Sequence, residues 1–459
     1  MLYVDHVEKL IEDIISGEIK SGERLPTYRD YAYDKGISAG TAARIYSELA
    51  KRGYATGEVG RGTYARLPDH SPRDVGAGGG LQAGAVRTDL IDLTLNFPIL
   101  YEQTEKLREG LRKLSNDSDI SRYLEYQSHS GAQGDRELIA EYAIKTGFGS
   151  VDPAGIVLTQ GGQHGIALCI LALCKPGDRI ACEDLTYPGF KAAAQTLGID
   201  LVPIGCDEDG LKPSELDNAC AKHHITSLYC MPTVQNPYGY VMSEERRHEL
   251  LRVVVARKLS VIEDAAYSFL EETPPPSLVS LAPDHVIYID TFSKVIAPGF
   301  RVGYVATCNA RWAAAIANGV RITTWSATPL SLGIITDWLK DNTVDRWRDE
   351  KRRQAVRLQK VLRATLPNDI RIDAHHSSYH ALIHLPTPWR SDDFAISLAK
   401  DGVAISPVRA FAVSSTYGPA PPEVVRVAFG GISEALLQEA MKIFRVRLLD
   451  PVASTGAEL

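Results

Sequence analysis

The sequence predicts an α/β protein preceded by a small α+β unit, and three observations predict it. Hydrophobic residues recur at helical spacing in three short stretches before Gly53, and glycine-spaced β-prone pairs follow them. From Leu90 onward, short β-rich runs alternate with helical stretches, the pattern of a mostly parallel sheet. Between the two, residues 67–89 are rich in glycine and proline and cannot build a core. The 459 residues suffice for two or three domains, and 44% hydrophobic with 23% charged residues is ordinary for a soluble globular chain.

Residues 1–66 read as one compact unit. Val4, Val7, Ile11, Ile14 and Ile15 recur at helical spacing, and Gly17 ends the run. Gly22 and Leu25-Pro26-Thr27 open a second helix from about Tyr28 to Lys35, stopped by Gly36. Ser38 is the candidate N-cap of a third helix. In it Ala42, Ile45 and Leu49 share one face, and Thr41, Arg44, Ser47 and Glu48 the other. Gly53 ends that helix, and Tyr54 to Ala65, punctuated by Gly57, Gly60 and Gly62, reads as a two-stranded wing. The net charge of -7 argues against a generic polyanion binder. From Lys35 to Arg66, however, six basic residues face two acids, which is either a solvated face or a nucleic-acid footprint.

Three helices and a hairpin describe a winged helix-turn-helix, and the segment resembles the GntR class of bacterial regulators. The resemblance rests on Leu25-Pro26-Thr27-Tyr28-Arg29, Gly36-Ile37-Ser38, Thr41, Tyr46, Leu49, Gly53-Tyr54 and Gly60-Arg61-Gly62-Thr63-Tyr64. One departure is Ala39-Gly40, where this class often carries an arginine after the serine. The linker, 67–89, is expected to be a flexible tether rather than an ordered glycine-rich loop. The seven cysteines are scattered and form no Cys-x-x-Cys pair, which argues for a reducing compartment and against a zinc site. Cys169 and Cys174 fall in an apolar helical stretch as core residues. No signal-peptide pattern and no membrane-length apolar run is present, so the expected location is the cytoplasm.

Residues 90–459 form the second part, with a larger portion over about 90–325 and a smaller α+β portion over about 326–449. The expected strands are Ile156-Val157-Leu158, Arg179-Ile180-Ala181, Leu201-Val202-Pro203-Ile204, Ser227-Leu228-Tyr229, Leu259-Ser260-Val261-Ile262 and Val286-Ile287-Tyr288-Ile289. A long charged helix is expected from Asp345 to Leu366.

The chemistry concentrates where these strands end. The last strand runs into Asp290-Thr291-Phe292-Ser293-Lys294, and Arg301 follows seven residues after the lysine. An amine, two hydroxyls and a guanidinium so placed suit pyridoxal phosphate: a Schiff base from Lys294, and phosphate contacts from Thr291, Ser293 and Arg301. Gln160-Gly161-Gly162-Gln163-His164 follows the first strand and opens a helix, where backbone N–H groups can approach an anion. Tyr187 offers a flat surface for a pyridine ring. The Asn236 amide, in Gln235-Asn236-Pro237, can donate to a phenolate oxygen, and so can Tyr267. Asp264 ends a buried strand, where a carboxylate is costly unless paired, and a protonated pyridine nitrogen would pair it. Asn96, in Leu95-Asn96-Phe97-Pro98, either lines the entrance or caps its own turn.

In this order the segments resemble fold-type I, class I aminotransferases. The resemblance implies Gly162 and Gln163 at the phosphate, Tyr187 stacked on the ring, and Asn236 and Tyr267 on its 3′ oxygen. Asp264 faces the ring nitrogen, Lys294 is the Schiff-base lysine and Arg301 binds phosphate. Tyr126 is the tyrosine that reaches the partner subunit's phosphate, and Arg426 grips a substrate or effector carboxylate. A strand arginine such as Arg426 is otherwise a surface ion pair.

A winged helix tethered to such a domain resembles the MocR family of GntR regulators. That implies a bacterial transcription factor, a homodimer with crossed DNA-binding domains, binding double-stranded DNA and responding to an amino-compound effector or to the cofactor itself. Arg29, Ser38, Thr41 and Arg44 are then the DNA-contacting residues of the helix-turn-helix, with Arg61 and Thr63 on the wing. An active aminotransferase with an accessory winged helix stays open, because the residues of its half-reaction are present. A cofactor reservoir without DNA binding is disfavoured by the full winged-helix pattern.

Overall fold

The computed structural model describes residues 3–16, 18–20, 22–51, 54–58, 62–65, 90–100, 102–413 and 422–450. The expected tether and Arg61 lie outside the described residues, as do the side chains of Val4 and Ile15. The chain divides into two compact units, Met1–Val75 and Gly76–Leu459.

The first unit is built from helices α1 (Tyr3–Ser16), α2 (Tyr28–Lys35) and α3 (Ala39–Lys51) and strands β1 (Ala55–Glu58) and β2 (Gly62–Ala65). Each boundary has a local cause. Thr27 Oγ1 accepts from Asp30 N at the start of α2, and Gly36 ends it in the left-handed region at φ 63°. Ser38 Oγ accepts from Thr41 N at 3.1 Å, so Ser38 caps α3 as the sequence predicts. Val7, Ile11 and Ile14 of α1 pack with Ala42, Ile45 and Leu49 of α3, the last three with no exposed surface. Each of the valine, isoleucine and leucine side chains among them contributes about 1.5–3 kcal/mol on burial. Tyr46 Oη donates to Pro26 O at 2.8 Å, and Leu25 N donates to Thr63 O at 2.9 Å. These bonds tie α3 and the wing to the turn before α2.

The second unit centres on a seven-stranded sheet. Its spatial order is Ile156–Thr159, Gly303–Ala306, Val286–Thr291, Ser260–Asp264, Ile225–Cys230, Arg179–Glu183 and Asp200–Ile204. Six strands run parallel and Gly303–Ala306 runs against both neighbours. The six predicted strands all form, each one to three residues longer than its apolar run. The seventh was not legible as a strand. It is four residues long and begins with a glycine, yet all four are buried. Its hydrogen bonds to two neighbours, rather than local propensity, make it a strand.

The register brings Thr159, Asp264 and Thr291 to one edge, because strands that run the same way end on the same side. Ligands of open α/β sheets bind outside that carboxyl edge. The helix Thr343–Thr365 leads to a four-stranded sheet ordered Ile372–Asp373, His380–His384, Val424–Ala428, Ser406–Pro407. Ile91–Asp92 pairs with Val403–Ala404, and Ala428 N donates to Leu93 O. Residues 94–98 are thereby led from the second sheet toward the edge of the first.

Candidate functional site

Lys294 lies in a single helical turn, Phe292–Val295, entered directly from the strand Val286–Thr291. Thr291 caps that turn, accepting from Ser293 N, and its hydroxyl donates to Ser293 Oγ at 2.9 Å. Ser293 therefore keeps its own proton for another acceptor. Lys294 Nζ donates to Asn96 O at 2.5 Å and stands 5.6 Å from the centre of the Tyr267 ring. Burial pushes the amine below the usual lysine value; Tyr187 opposes the shift and Arg426 adds to it.

The turn after Thr159 approaches from the side. Gly161 has φ 84°, and a Cβ there would meet Arg301 Nη2 at 3.2 Å, so glycine answers both a backbone and a packing demand. Helix Gly162–Leu173 starts at this point, and Arg301 donates to Gln160 O at 3.0 Å. The Gln163 side chain donates to Gly189 O at 2.7 Å. Tyr187 is the N-cap residue of the helix Pro188–Thr196 and packs, half-buried, against the core.

Asp264 is 3% exposed and accepts from Tyr229 Oη at 2.7 Å and from Ala266 N at 3.0 Å. Burial raises its carboxyl above the usual range, and the Tyr229 hydroxyl is the largest opposing influence. Tyr229 is itself held flat against Phe190, centroids 3.8 Å apart. Asn236 Oδ1 accepts from Arg426 Nη1 at 3.2 Å, which leaves the amide nitrogen to donate elsewhere.

Arg426 sits in the fully buried strand Val424–Ala428 and is only 6% exposed. Its other contacts are Thr94 O and the ring of Phe411, 4.7 Å away, and its Nε has no partner. The surface ion-pair alternative does not hold. Among the described residues Lys294, Arg301 and Arg426 form no salt bridge. Of the three cations, Lys294 acts on the buried Asp264 carboxylate and opposes the rise of its carboxyl, whereas Arg301 is exposed beside Gln160.

His380 and Lys351 belong to this region and were not singled out from the sequence. His380 is fully buried, and its Nε2 lies 3.0 Å from Gln235 O. Burial, then Arg426, pushes it down to about 3, so the ring is neutral. A neutral ring that donates from Nε2 accepts at Nδ1, where Asn96 Nδ2 stands at 3.3 Å. Asn96 is 7% exposed and its Oδ1 is left without a partner. The structure therefore brings together Asn96, Gly162, Tyr187, Asn236, Asp264, Tyr267, Thr291, Ser293, Lys294, Arg301 and Arg426. Tyr126 lies instead on Trp325, centroids 5.1 Å apart, and is 86% exposed.

In the first unit, Arg29, Ser38 and Arg44 are exposed, and Thr41 and Thr63 half-buried. The Arg44 guanidinium stacks 4.1 Å over the ring of Tyr3, in α1. Ser38 and Thr41 share a 2.9 Å hydrogen bond at the N-terminus of α3.

The model of the family described as aminotransferase class I and II matches residues 88–444. The chain belongs to the aminotransferase class I and II family. Residues 2–65 match bacterial regulatory proteins of the gntR family, so this member carries a GntR helix-turn-helix ahead of its class I domain, the MocR-type arrangement. The chain is 28% identical over 455 residues to the uncharacterized HTH-type transcriptional regulator YdeF of Bacillus subtilis, covering 96% of this chain and 93% of the relative. It is 28% identical over 300 residues to the HTH-type pyridoxine biosynthesis transcriptional regulator PdxR of Corynebacterium glutamicum, covering 65% and 64%. The fold is that of Pyrococcus horikoshii kynurenine aminotransferase, with a TM-score of 0.72 at 22% identity over 79% of this chain and 91% of that one. Among the described residues, no helix of this family member is long and apolar enough to cross a membrane.

Proposed function

We propose that the chain is a pyridoxal phosphate-dependent transcriptional regulator whose aminotransferase-like unit senses an amino compound and whose winged helix binds double-stranded DNA. The observation that carries the reading is the charge balance of the site at the strand edge. Lys294, Arg301 and Arg426 lack ion-paired carboxylates among the described residues, and Arg426 Nε is unpartnered. Such a site is stabilised by ligands that bring anions.

Pyridoxal phosphate fits this donor set. The N–H groups at Gly162 and Gln163, the hydroxyls of Thr291 and Ser293, and Arg301 would hold its phosphate. Tyr187 would lie on the ring, Asn236 and Tyr267 would donate to the ring oxygen, and Asp264 would hold a proton on the ring nitrogen. Lys294 would be its covalent anchor. When bound, the cofactor supplies an electron sink and a carbon to which amines add. Arg426 would clamp the effector's carboxylate, and Asn96 Oδ1 would accept from its donor groups. Exposed Tyr126 would serve a partner subunit's site in a homodimer.

An effector that binds one state of the sensor more tightly shifts DNA affinity by that difference in binding free energy. Arg44, Arg29, Ser38 and Thr41 would contact a major groove, and Thr63 and Arg61 the backbone beside it. The similarity to YdeF along 96% of the chain supports the regulator reading over a free-standing enzyme.

The test uses full-length protein and DNA selected from a random pool by that protein. Fluorescence anisotropy would follow binding of that DNA with added pyridoxal phosphate and a panel of amino acids and amines. A ligand-dependent change of affinity, abolished by Lys294→Ala, is the expected result. Ligand turnover with keto acids, together with DNA affinity that never responds, would establish the enzyme instead.

A further inference from the structure

Lys351 lies near the middle of the helix Thr343–Thr365, in a run of charged residues, yet it is fully buried. Its Nζ donates to Pro98 O at 2.7 Å, Lys294 O at 3.0 Å and Ile296 O at 2.7 Å. Three carbonyls match the three N–H groups of an ammonium, whereas a neutral amine has only two. No carboxylate forms a salt bridge with it among the described residues, so its contacts are neutral and directional. Burial pushes the amine well below the usual lysine value, with Lys294 adding to the shift, and the three carbonyls oppose it by favouring the charged form.

The three carbonyls are not an arbitrary set. Two belong to the loop of Lys294, one being the carbonyl of Lys294 itself. The third, Pro98 O, lies two residues beyond Asn96, whose carbonyl accepts from Lys294 Nζ. Lys294 Nζ, through Asn96 O, and Lys351 Nζ, through Pro98 O, thus both join the turn of Lys294 to residues 96–98. Gln103 adds a neutral brace, donating to Ile296 O at 2.8 Å.

We propose that Lys351 is a positioning residue for Lys294: bound to the carbonyls of Pro98, Lys294 and Ile296, it holds the lysine loop against residues 94–98 in the register that aims Lys294 Nζ. The proposal rests on the reading of the site as a pyridoxal phosphate site. It reaches further, because it assigns a role to a residue that need touch neither cofactor nor effector.

The experiment separates holding the cofactor from linking to it. Linkage joins Lys294 Nζ to the cofactor's aldehyde carbon with loss of one water. Borohydride then adds a hydride to the C=N carbon and solvent a proton to nitrogen, leaving a stable secondary amine. Full-length wild type, Lys351→Met, Lys351→Gln and Lys294→Ala are mixed with pyridoxal phosphate, quenched with borohydride at set times, and digested for mass spectrometry of the Lys294 peptide. Equilibrium dialysis measures total binding, and the thermal midpoint of the cofactor-free protein checks folding.

The expected result for Lys351→Met is total binding within about threefold of wild type and a linkage rate lower by roughly tenfold to a hundredfold, the effect of a misplaced reacting group. Lys351→Gln, which keeps donors without charge, is expected to fall between. If Lys351→Met does not fold, Lys351→Gln decides the matter by the same comparison. Linkage at the wild-type rate in the folded variants would overturn the proposal. Binding, linkage and thermal midpoint falling in proportion would overturn it too, by reducing Lys351 to a packing role. Wild type that never carries cofactor on Lys294 would instead overturn the cofactor reading, and is recognised in wild type alone.

Discussion

Tyr229→Phe removes one oxygen from a site whose shape it leaves intact. The ring stays stacked on Phe190 at 3.8 Å, while the 2.7 Å hydrogen bond to Asp264 Oδ2 is lost. The other bond to that carboxylate, from Ala266 N at 3.0 Å, remains. A hydrogen bond to a charged group contributes about 1.5–3 kcal/mol, so losing it should raise the Asp264 carboxyl further. The sign follows from burial, which already raises this group and which the Tyr229 hydroxyl opposes. An Asp264 that protonates at higher pH can no longer hold a proton on a ring nitrogen. Pyridoxal phosphate affinity should therefore fail at a higher pH in the variant, with its acid limb displaced upward. Binding would be followed by tryptophan fluorescence quenching across mildly acidic to mildly alkaline buffers, wild type beside variant. Superimposable pH profiles would refute the assignment of Asp264 to the ring nitrogen.

Three further outcomes are expected. Burial pushes Glu183 up to about 7 from an ordinary value of 4.5, so it contributes stability below the ordinary value that is lost as pH rises through about 7. Glu183→Gln should flatten that decline between pH 5 and pH 8 in calorimetric thermal midpoints, and an unchanged slope would show that other groups cause it. Ser38→Ala removes the cap of α3 and should cost about 1 kcal/mol, seen as an earlier unfolding transition of the N-terminal unit in the full chain. Arg44→Ala should lower the slope of log affinity for DNA against log salt by about one if Arg44 meets a phosphate. An unaltered slope with lost sequence preference would make it a base reader.

The parts of the site carried by contiguous motifs were legible before the fold. Lys294 with Thr291 and Ser293, Asp264 at a strand end, and Gly162 after a strand are local patterns, and register alone brings them to one edge. Ser38 and Gly36 were legible for the same reason, since caps act over three residues or fewer. His380, Tyr229 and Lys351 were not. His380 meets Asn96 across 284 residues of chain, Tyr229 meets Asp264 across 35, and Lys351 meets Pro98 across 253. Lys351 stands between Glu350 and Arg352 in a helix that reads as charged and solvated.

While Gly303–Ala306 became a strand only through its neighbours, the sequence by itself determined six of the seven strands of the main sheet, the three N-terminal helices and the residue types at their ends. Those outcomes depend on periodicity, capping and backbone freedom within a few residues. The tertiary structure alone decided which charges are dry. It buried Lys351 among three carbonyls, left Arg426 Nε without a partner, and made the His380 ring neutral. Desolvation is set by everything packed around a group, and the packing partners here come from distant parts of the chain.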